Sequence, residues 1–332
     1  MQNKINSRNC AIDIFKYISA LLVIGIHTAL FSDVHNGLYF ITVHIICRFA
    51  VPFFAVCSGY FFANSSRSVL EQWKKMLAIY LIWTFVYLVY SIPRWKEMNW
   101  FGLGSFVDYG VATVSKGAYY HLWYLLSVLY ALPLLGVILR KANYKYYIWI
   151  AAGFYSIKVV SYGYRLWLPI QVVEIIEMLD RVSAIFDAVF CILPFLLMGA
   201  YIYRNPKSNK KIELKGTIIS VAMLVAEASL LAKEGQNAVS YIIFTFPVAY
   251  FAFRLIVNWN IKMKCFDSKM LGDISLGVYC IHPIIIEALR KVIENSVVVF
   301  GLTSLLATLI AIIILLIKKK IIKAIPRRNK YV

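Results

Sequence analysis

Residues 12–33 read IDIFKYISALLVIGIHTALFSD, an apolar stretch interrupted by Asp13, Lys16 and His27. A bilayer core about 30 Å thick is crossed by about 20 residues of α-helix. This stretch is long enough, and it is not alone. Segments near 37–63, 76–92, 121–139, 145–163, 184–203, 214–232, 239–257, 272–293 and 297–317 meet the same criterion. The pattern predicts an all-α, polytopic transmembrane helix bundle of about ten spans. Arg48 lies inside the second, and the pair His282-Pro283 inside the ninth. Proline is tolerated in a membrane helix where neighbours satisfy the carbonyl it frees.

Composition supports the same class. Of 332 residues, 61% are hydrophobic and 15% charged. Soluble domains carry about 45–50% apolar and about 25% charged residues, so a soluble globular protein is excluded. The net charge of +19 would suit nucleic acid only if it formed an exposed patch. Here it flanks apolar runs, and no nucleic-acid partner is expected. Lys and Arg are roughly three times as frequent in one set of alternate loops, together with both termini, as in the other. The positive-inside rule therefore places both termini in the cytoplasm, with anionic inner-leaflet lipid as counter-charge. Lys318-Lys319-Lys320 and Arg327-Arg328 read as a stop-transfer anchor. The N-terminal run lacks a small-x-small cleavage site and reads as an uncleaved first span. No repeat, linker or appended soluble domain stands out, so one domain over 1–332 is expected.

Cys47, Cys57, Cys191 and Cys280 fall in apolar runs, and Cys10 and Cys265 lie beside basic segments. With no CxxC and no ligand spacing, neither a disulfide framework nor a metal site is expected. Two outer loops are long. The first, 93–120, holds Trp95, Trp100, Phe101 and Phe106, which suits a segment lying at the interface. The second, 164–183, carries Glu174, Glu177 and Asp180 at helical spacing, which suits a short amphipathic helix presenting acids outward.

Ionisable residues are costly at mid-membrane and usually face a cavity or a partner. The candidates are Asp13, Lys16, His27, His44, Arg48, Lys158, Asp187, Glu227, His282 and Glu287. Asp13, Glu287 and Lys158 lie near span ends, where a charged head can reach the interface. Lys16 and His27 are eleven residues apart, close to three helical turns, so they share a face about 16 Å apart along the axis. Asp13 shares that face and can pair with Lys16. Imidazole is the side chain whose ordinary pKa suits proton transfer near neutrality. A single histidine on an apolar helix is more often structural; one aligned with a cation points to function. Arg48, one turn after His44, stays protonated and needs a partner, either a protein acid or a ligand oxygen. His121 and Trp123 open the fourth span, where an interfacial anchor is the plainer reading. No phosphate loop, GxSxG or HExxH is present. These residues alone describe a polar intramembrane site and leave enzyme and transporter open.

Four blocks carry a resemblance: Asp13-Ile14-Phe15-Lys16 through His27; Arg48-Phe49-Ala50-Val51-Pro52-Phe53-Phe54 followed by Ser58-Gly59-Tyr60-Phe61; His121-Leu122-Trp123-Tyr124; and Tyr279 with His282-Pro283. In this order, over nearly the whole chain, the sequence resembles the acyltransferase 3 family of bacterial integral-membrane O-acyltransferases. The resemblance implies a multi-pass protein of the bacterial cytoplasmic membrane. It would move an acyl group, usually acetyl, from cytoplasmic acyl-CoA to a hydroxyl of an extracytoplasmic glycan or cell-envelope molecule. Acetyl-CoA would be the co-substrate, with no metal. His27 matches the family's essential first-span histidine, as base or transient acyl carrier. Lys16 stands where the family has arginine, so it meets a CoA phosphate as a point charge rather than a fork. Arg48 and Lys16 join His27 in the candidate catalytic set, and Lys16, Arg48, Arg67, Lys74 and Lys75 are the candidate CoA-binding cations. His121, Trp123, Tyr124 and His282 are candidate acceptor-binding residues, with Glu174 of the outer acidic segment. The alternative is a permease for a small polar solute such as an amino acid. A transporter usually carries repeated halves, and none is visible.

Overall fold

The computed structural model describes residues 9–234, 241–259 and 268–324, with side chains to residue 321. Cys265, Arg327 and Arg328 lie outside the described residues. Among the described residues the regular structure is all helical, with no strand. Its α-helices are α1 (Cys10–His27), α2 (Asn36–Tyr39), α3 (Ala50–Asn64), α4 (Val69–Glu97), α5 (Leu103–Ser115), α6 (Trp123–Lys141), α7 (Tyr147–Lys158), α8 (Ile170–Leu179), α9 (Ser183–Asp187), α10 (Leu193–Arg204), α11 (Lys210–Lys233), α12 (Thr245–Val257), α13 (Ser268–Leu289) and α14 (Ser296–Ala324). Tighter and wider turns join several of them end to end. Asn36–Asn64 is one span made of α2, a π-helical stretch Phe40–Ile46, a 3₁₀ turn Cys47–Phe49 and α3. Ile170–Arg204 likewise joins α8, α9, the π-helical stretch Ala188–Ile192 and α10.

Among the described residues, 8 helices are long and apolar enough to cross a membrane. The expected fifth and eighth spans fall short of that length. The fifth is broken into α7 and a π-helical stretch at Val159–Gly163, and the eighth forms the 13-residue α12. The amphipathic helix expected in 164–183 is α8, but it runs on into the sixth span. The aromatic loop folds as α5, with Trp95 buried against Trp100, Phe106 and Tyr109.

Two compact units divide the chain. The first comprises residues up to Ala50 and from Trp259 on, and the second Val51–Asn258. In the first unit α1 packs along α13, and α13 along α14. In the second, α10 is central: every residue from 191 to 200 is buried. A helix apolar all round is stable only when enclosed. Large apolar side chains such as Phe85, Ile82 and Trp149 are instead exposed. Such surface is costly in water and suited to lipid.

Candidate active site

The site begins where α1 stops. Asn9 caps the start of the helix by accepting from the Ile12 N–H at 3.2 Å. At the other end the Leu30 N–H reaches Gly25 O at 3.1 Å and the Ala29 N–H reaches Ile26 O at 3.2 Å. Ala29 is left-handed, with φ +48°. This is a Schellman closure, reinforced by the Thr28 hydroxyl on Ile24 O at 2.9 Å. The first span was expected to run to residue 33. It ends instead at His27, and residues 28–34 form turns. The imidazole therefore sits at a helix end, with Lys16 three turns earlier; both are half-buried.

α13 supplies the second imidazole. His282 is 0% exposed, and its ring stacks on His27 with centroids 5.2 Å apart and planes at 26°. Its Nδ1 lies 2.6 Å from Tyr279 O. Pro283 has no N–H, so the carbonyl four residues earlier, that of Tyr279, receives no helical donor. The histidine next to the proline fills the gap. The sequence flagged both histidines but gave no reason to place the first and ninth spans side by side.

Arg48 arrives on the 3₁₀ turn Cys47–Phe49. The preceding π-helical stretch breaks the α-helical register assumed between His44 and Arg48. An added Cβ at Gly25 would lie 3.0 Å from Cys47 Sγ, so glycine lets this turn approach α1. The guanidinium is close enough for its charge to act on His27 and His44.

Polar bonds fix this end of the unit. Arg290 Nη2 donates to Thr28 O at 2.8 Å. The Asp33 carboxylate accepts the Ser296 N–H at 3.0 Å and the Ser296 hydroxyl, and the Phe31 N–H donates to Ser296 Oγ at 3.0 Å. The Ser296 bonds, with the Arg290 charge adding, hold the Asp33 carboxyl below its ordinary value of 3.8. None of these residues was singled out from sequence. An Asp after an apolar span and a Ser opening another are too common to signal one another.

The remaining candidates lie in the second unit. His121 is 1% exposed rather than an interfacial anchor. Tyr87 packs edge-on against it at 4.9 Å, with Tyr120 and Tyr119 beyond. Trp123 is half-buried, and Tyr124 is buried against Phe54. Arg67 is exposed in the turn before α4, while Lys74 and Lys75 belong to the exposed face of α4 itself, not to a loop. Glu174 is exposed on α8. Asp13 and Lys158 do not reach an interface; each is 2% exposed. Lys158 Nζ pairs with Asp187 at 2.6 Å and lies 3.3 Å from the Tyr162 ring centroid, satisfied internally. Glu227 accepts from Tyr164 and from the N–H groups of Ile243 and Phe244, capping α12. Two apolar clefts of about 520 and 470 Å³ flank α7, and none of the candidate residues lines them. Among the described residues no group of three or more His, Cys, Asp or Glu could hold a metal ion.

Long apolar helices with a stacked histidine pair, one ring buried and the other half-buried, and a nearby arginine define a multi-pass membrane protein with an intramembrane polar site. Comparison with known proteins identifies the family. The sequence profile of the acyltransferase domain matches residues 9–317, and the chain belongs to this acyltransferase 3 family. It is similar to the serine/alanine racemase of Enterococcus gallinarum, 29% identical over 295 residues, covering 83% of this chain and 40% of that protein. It is also similar to an amino-acid racemase of Enterococcus faecalis, 25% identical over 337 residues, covering 93% of this chain and 46% of that one. The chain thus spans less than half the length of these relatives. No solved structure matches it.

Proposed function

We propose that the protein is a membrane O-acyltransferase that moves an acetyl group from cytoplasmic acetyl-CoA to a hydroxyl of an extracytoplasmic glycan or envelope molecule. The observation that carries this reading is the His27 ring, half-buried and held against His282 with Arg48 nearby. His27 acts as base. It takes the proton of the acceptor hydroxyl as the oxygen attacks the thioester carbonyl. The Arg48 charge offsets the developing oxyanion. The C–O bond forms, the C–S bond breaks, and the proton returns to the departing sulfur, so CoA leaves as the thiol. Lys16, three turns nearer the cytoplasmic terminus, meets a CoA phosphate. His121, Trp123, Tyr124 and Glu174 remain candidates for acceptor contacts. The charge bias places both termini in the cytoplasm and the His27 end of α1 toward the outside. The membrane is the bacterial cytoplasmic membrane.

The test is transfer of label from radiolabelled acetyl-CoA to envelope glycan by the purified protein. Wild type should transfer and His27→Ala should not. Equal label in both, across donors of different chain length and several envelope acceptors, refutes the reading.

A second reading, a permease for an amino acid, draws on the relatives named amino-acid racemases and on the π-helical breaks inside three predicted spans. It requires solute accumulation in vesicles without CoA.

A further inference from the structure

We propose that His282 is a positioning residue for His27, and that Pro283 fixes it as the Nδ1–H tautomer. A carbonyl oxygen can only accept, so the 2.6 Å contact between His282 Nδ1 and Tyr279 O requires a proton on Nδ1. In the neutral ring the lone pair then belongs to Nε2. Pro283 makes the bond favourable. With any other residue at 283 the backbone N–H would compete for the Tyr279 carbonyl, because i to i−4 bonding is the helix rule. A buried carbonyl left unmet is costly, so the proline and the histidine act as one unit.

The bond also chooses between the two flips of the ring. A histidine without it could present either edge toward α1. His282 presents one, with its face on His27 at 5.2 Å. The ring is fully buried, packed among residues of α13 and the end of α1. Its own position is therefore fixed by packing and one directed bond, as partners that orient a catalytic or metal-bound histidine are. His27, half-buried, is the ring left within reach of a substrate. The orienting role rests on the acyl-transfer reading; the tautomer does not.

The chain has 5 histidines, few enough for imidazole ¹⁵N spectra of histidine-labelled protein in lipid. Signals of His282 are identified by their loss in His282→Gln. They should show a protonated Nδ1 and a bare Nε2. A protonated Nε2 with bare Nδ1, or a mixture of the two, overturns the assignment. His282→Phe keeps a ring of similar size without the donor. In that variant the His27 signals should move or broaden, and unchanged His27 signals would overturn the positioning role whether or not transfer has been detected. Where transfer is measured, His282→Phe should lower kcat by about 10- to 100-fold with the KM for acetyl-CoA within about two-fold. Unchanged kcat, or a raised KM alone, would count against positioning. Failure of wild type to transfer acetyl groups would remove the proposed activity and leave the tautomer measurement standing.

Discussion

Replacing Gly59 by alanine should weaken the protein through a contact that its geometry specifies. A Cβ at Gly59 would lie 1.9 Å from Leu196 O and 2.6 Å from Leu196 Cα. Across the same contact a Cβ at Gly199 would lie 2.0 Å from Val56 O and 2.6 Å from Tyr60 N. α3 and α10 thus touch backbone to backbone through a glycine from each, the close approach by which helices associate where lipid gives little apolar driving force. An ordinary C···O contact is about 3.3 Å, so Gly59→Ala must part the helices by about 1.4 Å. That disturbs a layer in which the buried Phe53 and Phe253 pack at 5.6 Å and the half-buried Tyr60 and Tyr203 at 5.5 Å. Overpacking of this kind costs about 1–3 kcal/mol, roughly 3 °C in Tm for a mid-range value in a chain of this size. Thermal unfolding in detergent, followed by a thiol-reactive dye, reports it, since Cys47, Cys57, Cys191 and Cys280 are buried free thiols. Gly301 is the internal contrast. Nothing lies within 4 Å of a Cβ there, and it sits inside α14, so Gly301→Ala should gain about 0.5–1 kcal/mol. A Gly59→Ala protein that melts at or above wild type would refute the backbone contact.

Asp33→Asn should lower Tm at neutral pH. The Asp33 pKa is depressed on folding, so its contribution is present above its unfolded value and lost as pH falls through the folded one. The gap between wild type and Asp33→Asn should therefore hold constant above about pH 5 and close below about pH 4; a gap that widened with acid would contradict the Ser296 contact. Lys158→Met leaves Asp187 without its cation in a buried site and should cost about 3–5 kcal/mol. Lys158→Met with Asp187→Leu should recover most of that, and an additive double variant in the same melting assay would show that the pair is uncoupled.

The helical class, most of the spans and the positions of the expensive polar groups were legible because each follows from local rules. Twenty apolar residues need a helix, and a charge inside one needs a reason. What the sequence did not yield was adjacency. Nothing in residues 12–33 says that its last helical residue meets a ring 255 positions later, because a stacking contact leaves no periodic trace. Helix ends were also misjudged. The run to residue 33 stays apolar after His27, but Thr28 back-bonds and Ala29 turns left-handed, and hydropathy averages over both. Lys158 was expected to reach for an interface from its place near a span end. A carboxylate in the following span and three aromatic rings were available inside, and internal pairing won. One signal was readable and passed over. Proline at 283 frees the carbonyl of residue 279, and the preceding histidine is a donor within reach of it.

The end of α1 also explains why an imidazole there can be precise although a turn follows it. Sites held to within about half an ångström need support from outside their own side chain. In this unit the support is polar and comes from the far part of the sequence. Arg290 takes the Thr28 carbonyl, Ser296 takes Asp33 and Phe31, and His282 covers the His27 ring. A helix end bounded by lipid alone would have orphan carbonyls and would fray; here the carbonyls of Ile24, Gly25, Ile26 and Thr28 are met and the turn is pinned. The same geometry sets two polar groups apart on one helix face. Lys16 and His27 stand about 16 Å apart. Under the acyl-transfer proposal, a donor held by its phosphate at Lys16 would present a thioester at His27 only through a long, thin arm, whereas a compact donor would touch one or the other.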